Sequence, residues 1–280
     1  MTLSVAGLDI GGPVVLAGAG KMGAALLQGW LARGLPASSI IIQDPALSGE
    51  AAELVRRHGI RTETALAHLD AAPSVIVAAV KPQVMDQVFL PLAKLAGPDT
   101  VVLSIAAGRS IASFEKYFAP GIAVVRAMPN MPAAIGRGIT GAVGNAHLTP
   151  AQRATCDALL SAVGDVVWVK DESLIDTVTA VSGSGPAYVF LLAECLAEAG
   201  RAAGLDAETA SKLARATVSG AGELMHQSHN DAATLRQNVT SPGGTTAAAL
   251  AVLMRDHDGL QRLMTEAVLA AKARGRELGK

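Results

Sequence analysis

Residues 238–246 read Asn-Val-Thr-Ser-Pro-Gly-Gly-Thr-Thr, combining hydroxyl side chains with glycines that leave the backbone accessible. The flanking stretches are typical of helices, whereas Pro242-Gly243-Gly244 cannot continue a helix and leaves N–H groups free near the start of the next one. Free N–H groups at a helix start bind carboxylate or phosphate. The segment therefore predicts either a pocket for a small anion or an ordinary turn between two helices.

A second candidate site is the run Gly18-Ala19-Gly20-Lys21-Met22-Gly23, which follows the apolar run Val14–Ala17 and opens a helix-like segment. This order of strand, turn and helix is the context that the dinucleotide-binding fingerprint requires. Gly18 would form the tight turn, Gly20 would let the backbone approach a pyrophosphate, and Gly23 would allow close packing of helix on strand. The alternative is a glycine-rich turn without a ligand. A P-loop is excluded, because methionine follows the lysine where that motif has Ser or Thr.

Asp44 directly follows the second apolar run, Ile40–Gln43. An acidic side chain here can accept hydrogen bonds from the ribose hydroxyls of an adenosine and repels a 2′-phosphate. The residues from Ile42 to Ala52 include no arginine that could bind such a phosphate. The sequence therefore favours NADH over NADPH, unless Asp44 only caps the turn that begins at Pro45.

Two later strand-like runs end in the segments Ala79-Val80-Lys81-Pro82 and Ile105-Ala106-Ala107-Gly108. The carboxyl ends of parallel strands meet at one edge of an open α/β sheet, and ligands bind there. We therefore expect both segments to lie beside the cofactor. Lys81 either contacts the cofactor or is solvated.

The first part of the chain alternates short β-rich runs with amphipathic stretches. This alternation is typical of a parallel sheet with crossover helices. One crossover helix has Thr149 as its N-cap and Pro150 at its first position. The predicted strands are Val14–Ala17, Ile40–Gln43, Val75–Val80, Val101–Ile105, Ala123–Arg126 and Val166–Val169.

After Glu172 no strand-like run recurs, and the chain becomes rich in Ala and Leu. Asp206 and Asp231 occupy positions where helix N-caps belong. The predicted fold class is therefore α/β, with a Rossmann-like dinucleotide-binding domain over residues 1–171 and an all-helical domain over residues 172–280. The predicted helices are Pro186–Ala203, Asp206–Gln227, Asp231–Arg236, Thr246–Arg255 and Gly259–Leu278.

Charge and cysteine content argue against two classes of function. The 23 Lys and Arg residues balance 24 Asp and Glu residues, and no basic run with interleaved aromatics occurs, so we expect no nucleic-acid partner. Cys156 and Cys195 lie in helix-like segments without metal-ligand spacing, so we expect buried thiols in a reducing compartment and no metal site.

Hydropathy places the protein among soluble proteins. Residues 1–12 lack the basic and apolar regions of a signal peptide, and no apolar run approaches the ~20 residues of a membrane span. We therefore expect a cytoplasmic protein without a membrane partner. Half of the residues are apolar and mean hydropathy is +0.37, which favours some surface buried between subunits.

Two further runs precede the 238–246 segment, Leu174-Ile175-Asp176 and Ser182-Gly183-Ser184-Gly185-Pro186-Ala187-Tyr188. With the glycine fingerprint, Ala79–Pro82 and Arg126-Ala127-Met128-Pro129-Asn130, they resemble the Δ1-pyrroline-5-carboxylate reductase family over nearly the whole chain. The serine-glycine-proline and serine-proline-glycine-glycine pieces carry most of the specificity. The resemblance implies hydride transfer from NADPH or NADH to the C=N bond of (S)-1-pyrroline-5-carboxylate, which gives L-proline in the last step of proline biosynthesis.

The resemblance also implies roles in a substrate site. Ser241 and the amides of Gly243 and Gly244 would hold the substrate carboxylate, and Glu172 would lie at the same site unless it is a solvated linker charge. Reduction of a cyclic imine needs a carboxylate anchor, a hydride donor held against the ring carbon and a proton for the nitrogen. Thr246 would hydrogen-bond that nitrogen as the catalytic residue. It either delivers the proton or orients an imine that binds already protonated.

The same resemblance places Asn238 near the nicotinamide end of the cofactor. It also implies a domain-swapped dimer, or a larger homo-oligomer, formed through the helical domain. The complete set of predicted cofactor-binding residues is Gly18, Ala19, Gly20, Lys21, Met22, Asp44, Ala79, Val80, Lys81, Pro82, Ala106, Ala107 and Asn238.

Two rival functions are open to test. A β-hydroxyacid dehydrogenase would carry a Lys four residues after a Gly-x-Gly and an Asn four residues beyond, but Val189 and Ala193 occupy those positions and neither can take a hydroxyl proton. A non-catalytic dinucleotide sensor would not need the hydroxyl and amide donors of the 238–246 segment. Turnover of pyrroline-5-carboxylate with NAD(P)H distinguishes the reductase from both.

Overall fold

The computed structural model of the chain describes residues 8–278. They form two compact units. One runs as far as Gly183 and also includes the chain from Lys272 onward, and the other runs from Ser184 to Ala271. The predicted domain boundary, between residues 171 and 172, lies upstream of this division.

The first unit is built on a sheet of eight strands among the described residues, in the order β3-β2-β1-β4-β5-β6-β7-β8. From β3 to β6 this is the Rossmann order, in which β2 and β3 lie on one side of β1, and β4, β5 and β6 lie on the other. The strands are β1 (Val14–Ala17), β2 (Ile40–Gln43), β3 (Arg61–Glu63), β4 (Val75–Ala78), β5 (Val101–Ser104), β6 (Ala123–Met128), β7 (Gly138–Gly144) and β8 (Gly164–Trp168).

Six of these strands confirm the predicted runs, with small differences at their ends. The sequence missed β3 and β7, because β3 has three polar residues and β7 contains three glycines, which weaken a strand signal. The sheet also departs from the expected all-parallel arrangement. Strand β7 pairs antiparallel with β6, with Arg126 opposite Val143, and parallel with β8.

Helices cover both faces of the sheet, so the central strands are buried on both sides. In β1, Val14 and Leu16 belong to one apolar cluster and Val15 and Ala17 to the other, as strand alternation requires. The indole of Trp30 donates a 2.9 Å hydrogen bond to the Leu159 carbonyl. The helices of this unit are α1 (Lys21–Ala32), α2 (Gly49–His58), α3 (Met85–Leu92), α4 (Ile111–Glu115), α5 (Pro150–Ser161) and α6 (Ile175–Val178).

The start of α5 confirms the predicted cap. The Thr149 hydroxyl accepts the Gln152 N–H, the Gln152 side chain accepts the Thr149 N–H, and Pro150 is the first helical residue. This reciprocal pair is a capping box, which satisfies two N–H groups that the helix itself cannot pair.

The helices after α6 confirm the five predicted ones, with ends that differ by one or two residues. They are α7 (Gly185–Ala202), α8 (Ala207–Gln227), α9 (Ala232–Asn238), α10 (Thr245–Leu253) and α11 (Leu260–Leu278), the last extending into the first unit. Asp206 and Asp231 are N-caps, accepting the N–H groups of Thr209 at 2.9 Å and Thr234 at 2.7 Å. These bonds hold the pKa of both carboxyls below its ordinary value.

Apolar side chains in the second unit are largely exposed. Ala210 and Ala214 of α8 are buried, whereas none of the described residues of α7, α9, α10 or α11 is. On α7, Phe190 is 55% exposed and Leu191 is 57% exposed. Because exposed apolar patches of this kind mark contact surfaces, the helices present a surface for another protein molecule.

One helical stretch within residues 8–278, from Glu172 to Ala202, is long and apolar enough to cross a membrane by length and composition. One such helix is weak evidence for a membrane span, so the absence of a membrane partner stays a prediction. Length and composition do not distinguish such a segment from an apolar helix that packs against another subunit.

Candidate active site

The glycine fingerprint forms the turn between β1 and α1. Gly18 has φ +88° and its N–H donates to the Gln43 carbonyl at 2.9 Å. A Cβ on Gly18 would stand 2.8 Å from the Ala79 carbonyl oxygen, and one on Gly23 would stand 2.6 Å from the Gly18 oxygen. Glycine is therefore required at Gly18 by backbone conformation and at Gly23 by close packing of helix on turn.

Gly20 differs from its two neighbours in the fingerprint. It is exposed, and a Cβ built on it meets no atom within 4 Å. It is the N-cap of α1 with no side chain capping it, and the first helical bond runs from the Ala24 N–H to the Gly20 carbonyl at 2.8 Å. The open space in front of free helix N–H groups suits a pyrophosphate.

Asp44 connects the second strand to the fingerprint. Its Oδ2 accepts the Ala19 N–H at 2.8 Å, and its Oδ1 accepts the Ala46 N–H at 2.8 Å. The carboxylate therefore caps the following turn and also braces the glycine loop. It lies half-buried at the carboxyl end of β2, beside β1, where the ribose position was predicted.

The segments after β4 and β5 reach the same edge of the sheet. The Ala79 N–H donates to the Ala17 carbonyl at 2.8 Å, so Ala79 lies beside the fingerprint turn. The guanidinium of Arg109 donates to the Pro82 carbonyl at 2.8 Å and ties the two segments together. Lys81 is exposed. The predicted cofactor residues of the first unit thus converge, with Ala106 and Ala107 following β5, which pairs with β4.

Glu172 is held inside the first unit. Its Oε1 accepts the Ile111 N–H at 2.8 Å and an Arg126 N–H at 2.9 Å, and Arg126 also lies 3.8 Å from Asp176. The Arg126 side chain is 12% exposed. Glu172 is therefore an internal ion-pair partner and not a solvated linker charge, while substrate contact stays a prediction. Arg126 could have been identified from the sequence, because it is a charged residue in the otherwise apolar β6.

In the second unit, residues 238–246 comprise the last residue of α9, the turn over residues 239–244 and the first two residues of α10. The Thr240 hydroxyl donates to the Arg236 carbonyl at 2.6 Å, and the Gly244 N–H donates to the Ser241 carbonyl at 3.0 Å. Gly243 has φ +69°, which favours glycine. Four of the five predicted substrate residues lie in this short segment with Asn238, whereas the fifth, Glu172, lies in the first unit.

The N-terminus of α10 is open. Gly244 is its N-cap, no side chain caps it, and the first helical bond is from the Ala248 N–H to the Gly244 carbonyl at 3.2 Å. Ser241 and Gly243 are exposed, and Thr246, in the first turn, is half-buried. The segment therefore has both the turn and the free N–H groups that an anion site requires.

Of the two thiols expected to be buried, Cys156 in the first unit is buried, whereas Cys195 is exposed, which corrects that expectation. The buried thiol is unsuited to nucleophilic chemistry. Burial raises the pKa of Cys156 to about 12, with a smaller contribution from Asp157. A thiol with this pKa carries almost no thiolate at neutral pH.

Two family models match the chain. The model for pyrroline-5-carboxylate reductase dimerisation matches residues 172–278, and a model described as coenzyme F420-dependent NADP oxidoreductase matches residues 13–108. The first covers the helices with exposed apolar faces, and the second covers the fingerprint, Asp44 and the segments after β4 and β5.

Individual proteins are similar along the whole length. A pyrroline-5-carboxylate reductase of Pseudomonas aeruginosa is 41% identical over 95% of this chain and 96% of its own length. The structure of such a reductase from Coxiella burnetii is 34% identical with a TM-score of 0.89, covering 96% of this chain and 99% of that one. The NADP-bound Plasmodium falciparum reductase is 26% identical, with a TM-score of 0.77, and covers 96% and 99%. Because identity at this level extends through both units, the chain belongs to the pyrroline-5-carboxylate reductase family.

Proposed function

We propose that this protein reduces 1-pyrroline-5-carboxylate to L-proline, with hydride from NAD(P)H added to the C=N bond. The observation that carries the proposal is the 41% identity to a pyrroline-5-carboxylate reductase over 95% of the chain. The residues of both units fit the reaction. It needs a dinucleotide held at a strand edge and a carboxylate anchor with a hydrogen-bonding group for the ring nitrogen.

The first unit would hold the dinucleotide. The open face at Gly20 and the free N–H groups of α1 would receive the pyrophosphate, and the free lone pairs of Asp44 would receive the ribose hydroxyls. When bound, the dinucleotide supplies the hydride. The chain's contribution is to fix the geometry, because the Ala19 and Pro82 contacts brace two of the loops that surround it.

The second unit would hold the substrate. Ser241 and the amides of Gly243 and Gly244 would bind the carboxylate at the open start of α10, and Thr246 in the first helical turn would hydrogen-bond the ring nitrogen. A threonine hydroxyl is a weak acid, so Thr246 orients a protonated imine or relays a proton from solvent. Asn238, the last residue of α9, would contact the nicotinamide end of the cofactor.

The primary test is oxidation of NAD(P)H by purified protein on addition of pyrroline-5-carboxylate, with proline identified as product. Protein that is folded and binds NADH yet shows no turnover would contradict the proposal and favour the dinucleotide sensor. Product other than proline would contradict the assigned reaction.

Thr246→Val tests the substrate-side role. The change keeps the shape of the side chain and removes the hydroxyl, so we expect kcat to fall by about tenfold to a thousandfold, as for loss of one transition-state hydrogen bond. The Kd for NADH should stay within about twofold, because the fingerprint is intact. Thr240→Val is the matched control, since within residues 8–278 that hydroxyl bonds only the Arg236 carbonyl. Loss of NADH affinity with kcat unchanged would place Thr246 on the cofactor instead.

Asp44→Asn tests the cofactor preference. Asparagine retains an oxygen for the Ala19 or Ala46 N–H and removes the charge that repels a 2′-phosphate. The ratio of kcat/KM for NADH to that for NADPH should fall by about tenfold, the effect of about 1.4 kcal/mol of repulsion. An unchanged ratio, with the variant folded, would show that Asp44 only braces the turn.

The protein is a homo-oligomer that acts on a small molecule, and we propose that it assembles through the helical residues 172–278. A dimerisation family model matches this range. We also propose a cytoplasmic location without nucleic-acid or membrane partners. Cell fractionation tests this, and activity that sediments with the membranes would contradict it.

A further inference from the structure

Strand β6 and the two residues that follow it contact the helical segment 172–183. Every second side chain from Arg126 to Asn130 makes one of these contacts. Arg126 pairs with Glu172, and the Met128 methyl lies 3.0 Å from the position that a Cβ on Gly183 would take. Asn130 donates to the Ser182 carbonyl at 3.1 Å. Residues two apart on an extended strand face the same side, so these three side chains form one line of contacts along this segment.

The end of that segment is a π-helix, Thr179–Gly183, between α6 and α7. The Thr179 hydroxyl donates to the Ile175 carbonyl at 2.8 Å, and the Ser182 hydroxyl donates to the Val178 carbonyl at 2.9 Å. A π-turn holds one residue more than an α-turn, is rare in proteins and frequently occurs at functional sites. Side-chain hydroxyls that bond back to carbonyls one turn earlier help to hold such a departure from α geometry.

Asn130 is a side chain outside the helix that braces this π-turn through a hydrogen bond. It is 9% exposed, and both ends of its amide are used within the first unit. Its Oδ1 accepts the Ile139 N–H at 2.9 Å, while its Nδ2 donates to the Ser182 carbonyl. One partner is a donor and the other an acceptor, so only one orientation of the amide satisfies both. Asn130 thereby fixes the position of the π-helix relative to the start of β7.

We propose that Asn130 is a positioning residue for the reduction, which holds Ser182 and Gly183 in the π-helical arrangement that the active enzyme needs. The proposal rests on the proposed function, because the Ser182–Tyr188 run, which begins in the π-helix, is one of the segments that carry the resemblance to the reductase family. Without the Asn130 bond the π-turn relaxes toward α geometry, and Ser182 and Gly183 then face a different direction. The cofactor loops follow β1, β2, β4 and β5 and stay in place.

Asn130→Asp is the test, and Asn145→Asp is its matched control. Asn145 follows β7 at the other end of the strand, and it also bridges backbone groups. Its Oδ1 accepts the Val124 N–H at 3.1 Å, and its Nδ2 donates to the Ile122 carbonyl at 2.9 Å. An aspartate at either position keeps the acceptor and loses the donor. The control loses one donor contact more, because Asn145 also donates to Glu115.

We expect both variants to lose thermal stability and only Asn130→Asp to lose turnover. Its kcat should fall by about tenfold or more, as misplacement by an ångström produces, with the Kd for NADH within about twofold of the wild type. Low pH should partly restore the kcat of Asn130→Asp. As pH falls toward the pKa of the introduced buried carboxyl, protonation restores an O–H donor for the Ser182 carbonyl, so its kcat relative to the wild type rises.

Equal kcat for the two variants, or a loss in Asn130→Asp explained by NADH affinity alone, would overturn the proposal. If Asn130→Asp does not fold, Asn130→Ser replaces it, because serine is neutral but too short to bridge both partners. The same fall in kcat is then expected without rescue by acid, and wild-type kcat would overturn the proposal. A wild type inactive on pyrroline-5-carboxylate defeats the proposed function itself, whereas an active wild type with equal variants defeats only the role of Asn130.

Discussion

The two units of this protein differ in how their apolar residues are buried. In the first, Val14, Leu16, Val75 and Val77 are wholly inaccessible, because helices of the same chain cover both faces of the sheet. In the second, α7 has no buried residue, and Leu191 is more than half exposed. The first unit completes its own core, while the helical one needs a second molecule of the protein to cover its apolar face.

The predicted functional loops of the two units also differ in how they are held in place. The Asp44 carboxylate and the Arg109 guanidinium brace the cofactor loops from outside them. The 238–246 turn is held by short-range bonds, such as Gly244 to Ser241 and Thr240 to Arg236. The comparison indicates that the predicted pyrophosphate and ribose contacts lie within one unit, whereas the surroundings of the predicted substrate loop depend on assembly.

The largest expected effect comes from a charge placed on the exposed apolar face. Leu191→Glu would bury an unpaired carboxylate in the subunit interface, which costs about 3 kcal/mol or more and weakens association about a hundredfold or more. Light scattering coupled to size exclusion should then show monomers at micromolar concentration, with activity lost. Leu90→Glu is the control, because Leu90 on α3 of the first unit is 58% exposed against 57% for Leu191. An oligomer retained by Leu191→Glu, or lost by Leu90→Glu, would break the comparison between the units.

An intermediate effect separates two glycines of the first unit. Gly18→Ala forces a side chain into a positive-φ position against the Ala79 carbonyl, which we expect to cost about 2 kcal/mol or more in the free energy of unfolding. Gly20→Ala meets no atom of the protein, so the melting temperature should hold while NADH affinity falls about tenfold or more. Denaturant unfolding and NADH fluorescence titration measure the two quantities. A Gly20→Ala variant with full NADH affinity would contradict the placement of the pyrophosphate.

The smallest expected effect is a change in folding stability at low pH. The lowered pKa of Asp206 and of Asp231 means that their caps stabilise the folded state at neutral pH. That contribution is lost as pH falls through the folded-state pKa, below the ordinary value of about 4. Asp206→Asn and Asp231→Asn keep a capping oxygen that does not titrate.

The stability difference between wild type and these variants should therefore be present at pH 6 and vanish toward pH 2, measured by thermal unfolding monitored by circular dichroism. Thr149→Ser, in the neutral cap of α5, is the control and should show a difference independent of pH. A wild-type advantage for the aspartates that persists at pH 2 would contradict the capping assignment.

Features whose cause is local in the chain could be predicted from sequence. The Asp206 and Asp231 caps, the Thr149 N-cap and the Gly18 turn each depend on neighbouring residues and were confirmed. Strands β3 and β7 were missed, because polar residues and glycines give little strand signal and pairing to a neighbour across the sheet forms them.

For the candidate site, too, the sequence indicated features that depend on local pattern and missed contacts between distant residues. Residue types and spacing, together with the family resemblance, indicated the cofactor loops and the Asn238–Thr246 turn. They did not indicate that Asp44 braces Ala19, that Arg109 reaches Pro82, or that Glu172 pairs with Arg126. These contacts join residues 25 to 46 positions apart, and spacing along the chain carries no record of them.

The sequence by itself determined the fold class, the family and the two segments that we propose carry the chemistry, because each depends on patterns within a few turns or one strand. Only the tertiary structure decided the antiparallel β7, the π-helix at Thr179–Gly183 and the partners of Asp44, Glu172 and Asn130. The physical reason is that a polar side chain inside a folded protein takes whichever partner the packing brings within hydrogen-bonding distance.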